Sequence, residues 1–372
     1  MAGQALLFPS SPEVPWIERE GDANFRLAHV AGKLAGGLSV QPLGQWFGGR
    51  VVGTGGVRAV AVAPEFRGRG IARALVRASL IELHQAGVPL STLYPATHLV
   101  YRRMGYELAG VRTGYRLPTH ALPAGGRELA VVELGRTRDA ALESCYAERA
   151  RRTNGQLERN ELMWQRVLDP LGAGETYAYA VVGDGVEAYV VFNQSRLAGS
   201  FRGTIMARDL VVRSRRGALA VLGLLAEHRS VIDSVEWFGA PQEPLLLLLD
   251  NPAHSVIARQ DWMLRLVDVA GAFAARGYAP GVTGEVHLEV SDDVLPWNQD
   301  RFVLSVAQGR GEVRCGGEGR IRVDVRALAS IYTGYGSPEE LQAVGGIAGP
   351  REDLALLGAL FAGPAPWMPD MF

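Results

Sequence analysis

The stretch from Val57 to Gly87 constrains this chain more than any other. It reads V-R-A-V-A-V-A-P-E-F-R-G-R-G-I-A-R-A-L-V-R-A-S-L-I-E-L-H-Q-A-G. Val57 to Ala63 is apolar, rich in β-branched valine and closed by Pro64, which predicts a buried strand. From Ile71 to Ala86 apolar residues recur at 71, 74, 75 and 78 and at 72, 76, 80 and 83. Arg73, Arg77 and His84 share a polar stripe, so the spacing predicts a helix. Gly87, with Pro89 beyond it, sits where such a helix ends. Between strand and helix lies Arg67-Gly68-Arg69-Gly70. Glycines there let the backbone approach a ligand. The helix start adds unpaired amides and partial positive charge, so the junction is an anion site suited to a pyrophosphate. A dinucleotide-binding loop would need a small residue where Arg73 stands, and no P-loop string ending in Gly-Lys-Ser/Thr occurs.

The rest of the chain narrows the class. With 372 residues it has room for two or three domains. Its 38 basic residues against 39 acidic ones give no bulk attraction to nucleic acid or to an acidic membrane. Cys145 and Cys315 fall far apart, which predicts free thiols in a reducing compartment. The histidines are scattered without ligand spacing, which predicts no metal. The N-terminus has no cationic stretch followed by an apolar core, and the apolar run Leu245 to Leu249 is too short to span a bilayer. A soluble cytoplasmic protein is expected, with no nucleic-acid or membrane partner.

Taken in order, Met1 to Gly21 is broken by Pro9, Pro12 and Pro15, and only Trp16-Ile17 is ready to pack. Asn24 to Lys33 and Leu38 to Phe47 read as antiparallel strands with glycine turns. Val88 to Tyr94 should be a strand parallel to Val57–Ala63, followed by a short helix, Thr97 to Gly105, and a strand, Tyr106 to Tyr115. Thr137 to Arg152 and Leu157 to Leu168 read as helices, and Thr176 to Phe192 as a hairpin around Gly183-Asp184-Gly185. A second strand, Thr204 to Arg213, and helix, Arg216 to His228, repeat the first pattern. Their junction, Val212-Arg213-Ser214-Arg215-Arg216-Gly217, lacks the glycine-rich loop and the proline. A helix at 270–276, strands at 284–290, 301–307, 312–315 and 320–324, and helices at 325–332, 338–343 and 353–361 complete an α+β module.

The string Val60-Ala61-Val62-Ala63-Pro64-Glu65-Phe66-Arg67-Gly68-Arg69-Gly70-Ile71-Ala72 resembles the acetyl-coenzyme A signature of the GNAT acetyltransferases. The segment Tyr101-Arg102-Arg103-Met104-Gly105-Tyr106 resembles the enhanced intracellular survival (Eis) branch of that superfamily. Asp261 to Val269 is similar to the segment that enters the sterol-carrier-protein-like C-terminal domain of Eis-like proteins. The resemblance implies a mixed α+β fold of two tandem GNAT-like domains, with central mixed sheets flanked by helices, and a sterol-carrier-like α+β domain. The expected limits are 1–118, 119–260 for a degenerate second copy, and 261–372. GNAT domains usually open with a strand and two helices not recognisable here. Either the gene begins further upstream or this member is shortened.

The resemblance also implies site roles. Arg67, Gly68, Arg69, Gly70, Ile71, Ala72 and Arg73 would hold the pyrophosphate of acetyl-coenzyme A. Val60, Ala61 and Val62 would bind its pantetheine arm, with the Val62 N–H as oxyanion donor. Ala96 and Thr97 would touch the cofactor again, and Tyr101 would protonate the departing thiolate. Amine acetylation needs an acid for the thiolate, a donor for the oxyanion and a base for the amine. A phenol with a pKa near ~10 suits the first task. The tail Gly363 to Phe372 carries Trp367, Met368, Met371 and Phe372 with three prolines, which lower the entropy lost on fixing it. It has reason to dock in an apolar cleft. In Eis-like enzymes the terminal carboxylate takes the acceptor's proton, which would give that role to Phe372. The expected function is transfer of acetyl from acetyl-coenzyme A to an amine of a small polycationic acceptor, aminoglycoside- or polyamine-like, or to a lysine, in a homo-oligomer, a hexamer by resemblance. A non-catalytic acyl-coenzyme A or lipid-binding protein with a relic signature is the other reading.

Overall fold

Long valine-rich strands and short glycine turns dominate the first part of the chain. A computed structural model describes residues 15–123, 128–135, 137–172, 174–251 and 253–372. The readings made at Pro9, Pro12 and the rest of 1–14, and for the Trp16 side chain, lie outside the described residues. A six-residue helix α1 (Pro15–Glu20) leads to β1 (Phe25–Val30), β2 (Lys33–Phe47) and β3 (Arg50–Val62). β3 starts earlier than its apolar run suggests. Its first half, Val51 to Gly56, is too glycine-rich to read as a strand, and its partner β2 holds it there through the pairs Phe47↔Arg50 to Gln41↔Gly56. Helix α2 (Ile71–Gln85) buries Ile71, Leu75, Val76, Leu80 and Leu83, the stripe expected from the spacing. Gly87 follows in a left-handed conformation. β4 (Leu90–Leu93) runs parallel to β3, and α3 (His98–Arg102) leads into β5 (Glu107–Pro118).

The second part repeats the plan. β6 (Ala130–Glu133), α4 (Ala140–Arg151), β7 (Leu157–Glu158) and α5 (Glu161–Leu168) precede β8 (Thr176–Val182), β9 (Val186–Arg196) and β10 (Gly203–Val212). The helix expected from Leu157 begins only at Glu161, because Asn160 caps it, accepting from the Met163 N–H at 3.0 Å, while Leu157 pairs with Gln45 of β2. Helix α6 (Arg215–Ala226) crosses to β11 (Ile232–Gly239), parallel to β10. β12 (Ser255–Leu266) then turns back into the first part.

One sheet holds both repeats, in the order β1-β2-β3-β4-β12-β5-β11-β10-β9-β8-β6, with β7 on β2. β12 lies between β4 and β5, pairing Leu264 with Thr92 on one side and Trp262 with Gly110 on the other. The boundary expected between 260 and 261 therefore falls inside a strand of this sheet, whose hydrogen bonds tie 261–266 to the first repeat.

The last part begins with α7 (Val269–Ala275) and forms a second sheet from β13 (Gly284–Ser291), β14 (Arg301–Ala307), β15 (Arg310–Cys315), β16 (Ile321–Asp324) and β17 (Ile347–Ala348), in the order β15-β14-β13-β16-β17. Helices α8 (Val325–Thr333), α9 (Pro338–Ala343) and α10 (Arg351–Phe361) cover it. Its interior is filled by side chains: Phe273, Tyr278, Tyr332 and Phe361 stack and cross with centroids between 5.4 and 6.4 Å. Among the described residues no helix is long and apolar enough to cross a membrane.

Candidate active site

The loop between β3 and α2 is built from two left-handed glycines. Gly68 has φ +75° and Gly70 φ +78°, conformations that cost an L side chain about 1–2 kcal/mol. A Cβ on either would meet no protein atom within 4 Å, so both backbones border open space. Gly70 caps α2 with no side-chain acceptor, which leaves the first amides of the helix directed into that space. The space is a cleft of about 910 Å³. The expected residues Arg67, Gly68, Arg69, Gly70, Ile71, Ala72 and Arg73 line it, joined by Arg77, Val100 and Arg103. Five arginines and no acid face it, which is the charge balance an anionic cofactor requires.

The corresponding point of the second repeat is capped by the chain itself, beside a smaller hollow of about 370 Å³. There Ser214 caps α6, accepting from the Gly217 N–H at 3.0 Å, and donates to Glu187 at 2.5 Å. Glu187 also pairs with Arg216. A carboxylate of the chain stands where the first repeat presents unpaired amides.

β3 and β4 pair only from Thr54↔Leu90 to Gly56↔Thr92, and β3 then continues alone to Val62. Beyond Gly56 the sheet is split. On its other edge β3 carries a bulge, where Ala59 takes φ +52° as the register to β2 shifts between Gly37 and Ser39. The Ala63 N–H bonds Ala35 on β2 at 2.9 Å. Strand alternation therefore turns the N–H groups of Val62 and Val60 toward the split and that of Ala61 toward β2. Of these three expected cofactor residues, Val62 borders the arginine-lined cleft. Ala59 was not anticipated, since nothing in an alanine signals positive φ.

Tyr101, on α3, is 7% exposed and lies edge-on to Tyr106 with centroids 6.0 Å apart. Among the described residues its hydroxyl has no hydrogen-bond partner. Burial pushes it up to about 12, so it is an acid held in its protonated form. Val100 beside it forms the cleft wall. Ala96 and Thr97 are exposed at the start of α3 and lie outside the lining of that cleft.

The tail runs back through the molecule, and residue after residue is held. Pro366 C=O accepts from the Val111 N–H at 3.2 Å, and the Trp367 N–H donates to Asn154 C=O at 3.1 Å. Tyr94 donates to Met368 C=O at 3.0 Å, and Arg112 to Pro369 C=O at 2.9 Å. Asp370 is bound by Arg159 and Tyr146, and Arg166 reaches Met371 C=O at 3.5 Å. Phe372 ends 6% exposed, its ring against Gly56 and 6.0 Å from that of Tyr94. Phe372 belongs to the core on one face of the large sheet and Tyr101 to the core on the other. Gly56, on which the Phe372 ring sits, is the last paired residue before the split. Arg166 also pairs with Glu20, which Arg58 and Gln41 hold as well; burial raises the Glu20 carboxyl against the pull of Arg58. A second cleft of about 810 Å³ opens between α2, β2 and α4 and reaches Tyr146 and Arg159.

Comparison with known proteins agrees with this architecture. Residues 5–109 and 155–266 each match a family profile described as an acetyltransferase (GNAT) domain, and 269–369 match a sterol carrier protein domain. The chain is 32% identical over 310 residues to N-acetyltransferase Eis of Mycobacterium tuberculosis, covering 76% of this chain and 71% of that one. It is 28% identical over 353 residues to an N-acetyltransferase of Streptomyces avermitilis, covering 87% and 83%. A crystal structure of a GCN5-related N-acetyltransferase from Anabaena variabilis superposes with a TM-score of 0.96 at 36% identity, over 100% of this chain and 95% of that one. Eis1 from Mycobacterium abscessus superposes at 0.82 with 27% identity, over 100% and 95%. Two strand–helix–strand repeats in one sheet, an open anion loop in the first and a sterol-carrier fold behind them identify the chain as a GNAT-family N-acetyltransferase related to Eis, an acyltransferase whose family uses acetyl-coenzyme A.

Proposed function

We infer that the chain transfers acetyl from acetyl-coenzyme A to a primary amine across the split between β3 and β4. The observation that carries this reading is the uncapped, arginine-rich start of α2 opening beside that split, with Tyr101 and Phe372 on its opposite faces. Arg67 to Arg73 bind the pyrophosphate through backbone amides and guanidinium charge. Val60 to Val62 bind the pantetheine arm as an added strand, and the Val62 N–H stabilises the oxyanion. Ala96 and Thr97 take the outer part of the cofactor. The neutral amine attacks the thioester carbonyl and, as the N–C bond forms, its nitrogen passes a proton to the Phe372 carboxylate, directly or through a water. The tetrahedral intermediate collapses, the C–S bond breaks, and Tyr101 gives the thiolate its proton. The proton on the carboxylate returns to solvent, from which Tyr101 is reprotonated after turnover.

The acceptor class runs from aminoglycoside-like and polyamine-like amines to lysine. The enzyme works in the cytoplasm as a homo-oligomer, a hexamer on the Eis pattern, each chain made of two GNAT repeats that share one sheet through Leu266 and a sterol-carrier-like domain after them.

The base assignment is open to a direct test, because the group belongs to no side chain. Deleting Phe372, or extending the chain with a C-terminal tag, should lower kcat for the best amine at least tenfold in a thiol-release assay. Acetyl-coenzyme A affinity should hold. Equal kcat/KM in tagged and untagged enzyme would refute the terminal base, and thiol release from no amine in a broad panel would refute the transferase reading.

A further inference from the structure

Asp370 stands two residues before the chain end and is 7% exposed. Both its oxygens are engaged. Oδ1 accepts from Arg159 Nε at 2.9 Å, and Oδ2 lies 3.1 Å from the Tyr146 hydroxyl, whose one proton it shares with the Leu157 C=O at 2.8 Å. Arg159 lies 3.8 Å over the Tyr146 ring, and its Nη1 donates to Asp209 Oδ2 at 2.5 Å. The Tyr189 hydroxyl donates to the same Asp209 oxygen at 2.6 Å. Arg149 stands 4.0 Å from Asp209 and 5.1 Å over the ring of Trp367. Two guanidiniums and two carboxylates thus balance inside the protein. Burial alone would raise Asp209, but Arg159, Arg149 and Tyr189 hold it below its ordinary value, while burial keeps Asp370 raised.

Tyr146, Arg149, Arg159, Tyr189 and Asp209 all come from the second repeat, and Asp370 comes from the tail. Trp367, Met368 and Phe372 already supply apolar burial for docking. Apolar residues could fill the place of the charges at no loss of stability. The bonds from Arg159 to Asp370 and Asp209 add direction instead, because each of these partners must meet the next at hydrogen-bond distance and angle. What they fix is the point from which two residues, a reach of at most about 7 Å, lead to the terminal carboxylate.

We propose that Asp370, held by Arg159, which Asp209 in turn orients, is a positioning residue that sets the Phe372 carboxylate at the split of the first repeat, and that this is the task of a second GNAT domain whose own helix start is capped by Ser214 and Glu187. The proposal rests on the terminal-base reading above. A misplacement of about 1 Å at a reacting group can cost 10²-fold in rate, so the demand on this anchor is large.

The test is a double-mutant cycle on the full-length enzyme, with the best amine of the panel. Asp370→Asn should lower kcat at least tenfold and leave the Kd for acetyl-coenzyme A unchanged. Deleting Phe372 in the Asp370→Asn background should lower kcat no further than the deletion alone, since both changes act through one carboxylate. Tyr146→Phe, which keeps the ring and removes the hydroxyl shared by Asp370 and the Leu157 C=O, should give a smaller fall of the same kind, about threefold, again cancelled in the Phe372-deletion background, and decides the matter if Asp370→Asn does not fold. Unchanged kcat in folded Asp370→Asn or Tyr146→Phe, losses that multiply with the deletion, or an equal loss of cofactor affinity would overturn the positioning role. Full activity after deletion of Phe372 alone would remove the terminal base, and the positioning role with it.

Discussion

Tyr101 shows how a residue's surroundings define its chemistry. Its neighbours are apolar and it meets no base, so burial moves its hydroxyl to about 12. It therefore stays protonated through the whole working range, and ionisation of Tyr101 cannot produce an alkaline fall in kcat below about pH 11. Tyr101→Phe should lower kcat roughly 10²- to 10⁴-fold with little change in acetyl-coenzyme A binding. Equal turnover in stopped-time thiol release would reduce the residue to packing against Tyr106. The phenol's place was legible because it lies in one contiguous motif after α2. The strained Ala59 and the Gly56 seat were not, because each acquires its role only from strands and a tail distant in sequence.

At the scale of elements, the tail and β3 meet at a glycine. A Cβ on Gly56 would fall 2.5 Å from Leu43 Cδ1 and 3.0 Å from Cδ2 and Cε2 of the Phe372 ring. Gly56→Ala should therefore displace the ring at a cost of about 1–3 kcal/mol. The expected result is a fall in kcat, a melting temperature lower by a few degrees, and an unchanged Kd for acetyl-coenzyme A by calorimetry. A full kcat would mean that the ring's seat does not govern the carboxylate. Docking of the tail was readable from its aromatic and proline content, and so was the cofactor loop from its glycines. The partners that receive the tail, Asn154, Arg112, Arg159 and Arg166, carry no local signal, because nothing in their own stretches of sequence marks them and each is brought to the tail by the fold alone.

For the whole molecule, the buried tyrosines set an alkaline limit to stability. Burial raises Tyr94, Tyr101, Tyr106, Tyr146, Tyr189, Tyr278 and Tyr332. Below about pH 10 each is protonated both folded and unfolded and adds no pH dependence. Above it the unfolded chain releases these protons first, so it binds fewer than the native state and stability falls as pH rises, by about 1.4 kcal/mol per tyrosine per unit. Melting temperature should begin to slip above about pH 9, where the unfolded chain ionises Cys145 while burial pushes the native thiol up to about 12, and should drop steeply above 10, with the phenolate absorbance of these rings appearing only on unfolding. A melting temperature held constant to pH 11.5 would contradict their burial. The repeats were visible in the sequence as two strand–helix patterns; their fusion into one sheet was not, since a strand's partners are not written in its own residues.

That fusion has a consequence for the order in which the protein is made. β4 and β5 leave the ribosome nearly together, yet the strand that separates them, Ser255–Leu266, follows only after the whole second repeat. At 5–20 residues per second the nascent chain waits on the order of ten seconds with both edges unpaired. Edges of that kind seek each other or another chain. The first repeat is thus an enzyme half that its successor must finish: a growing polypeptide shorter than 255 residues already has the acetyl-coenzyme A loop but not the strand that joins β4 to β5 behind it.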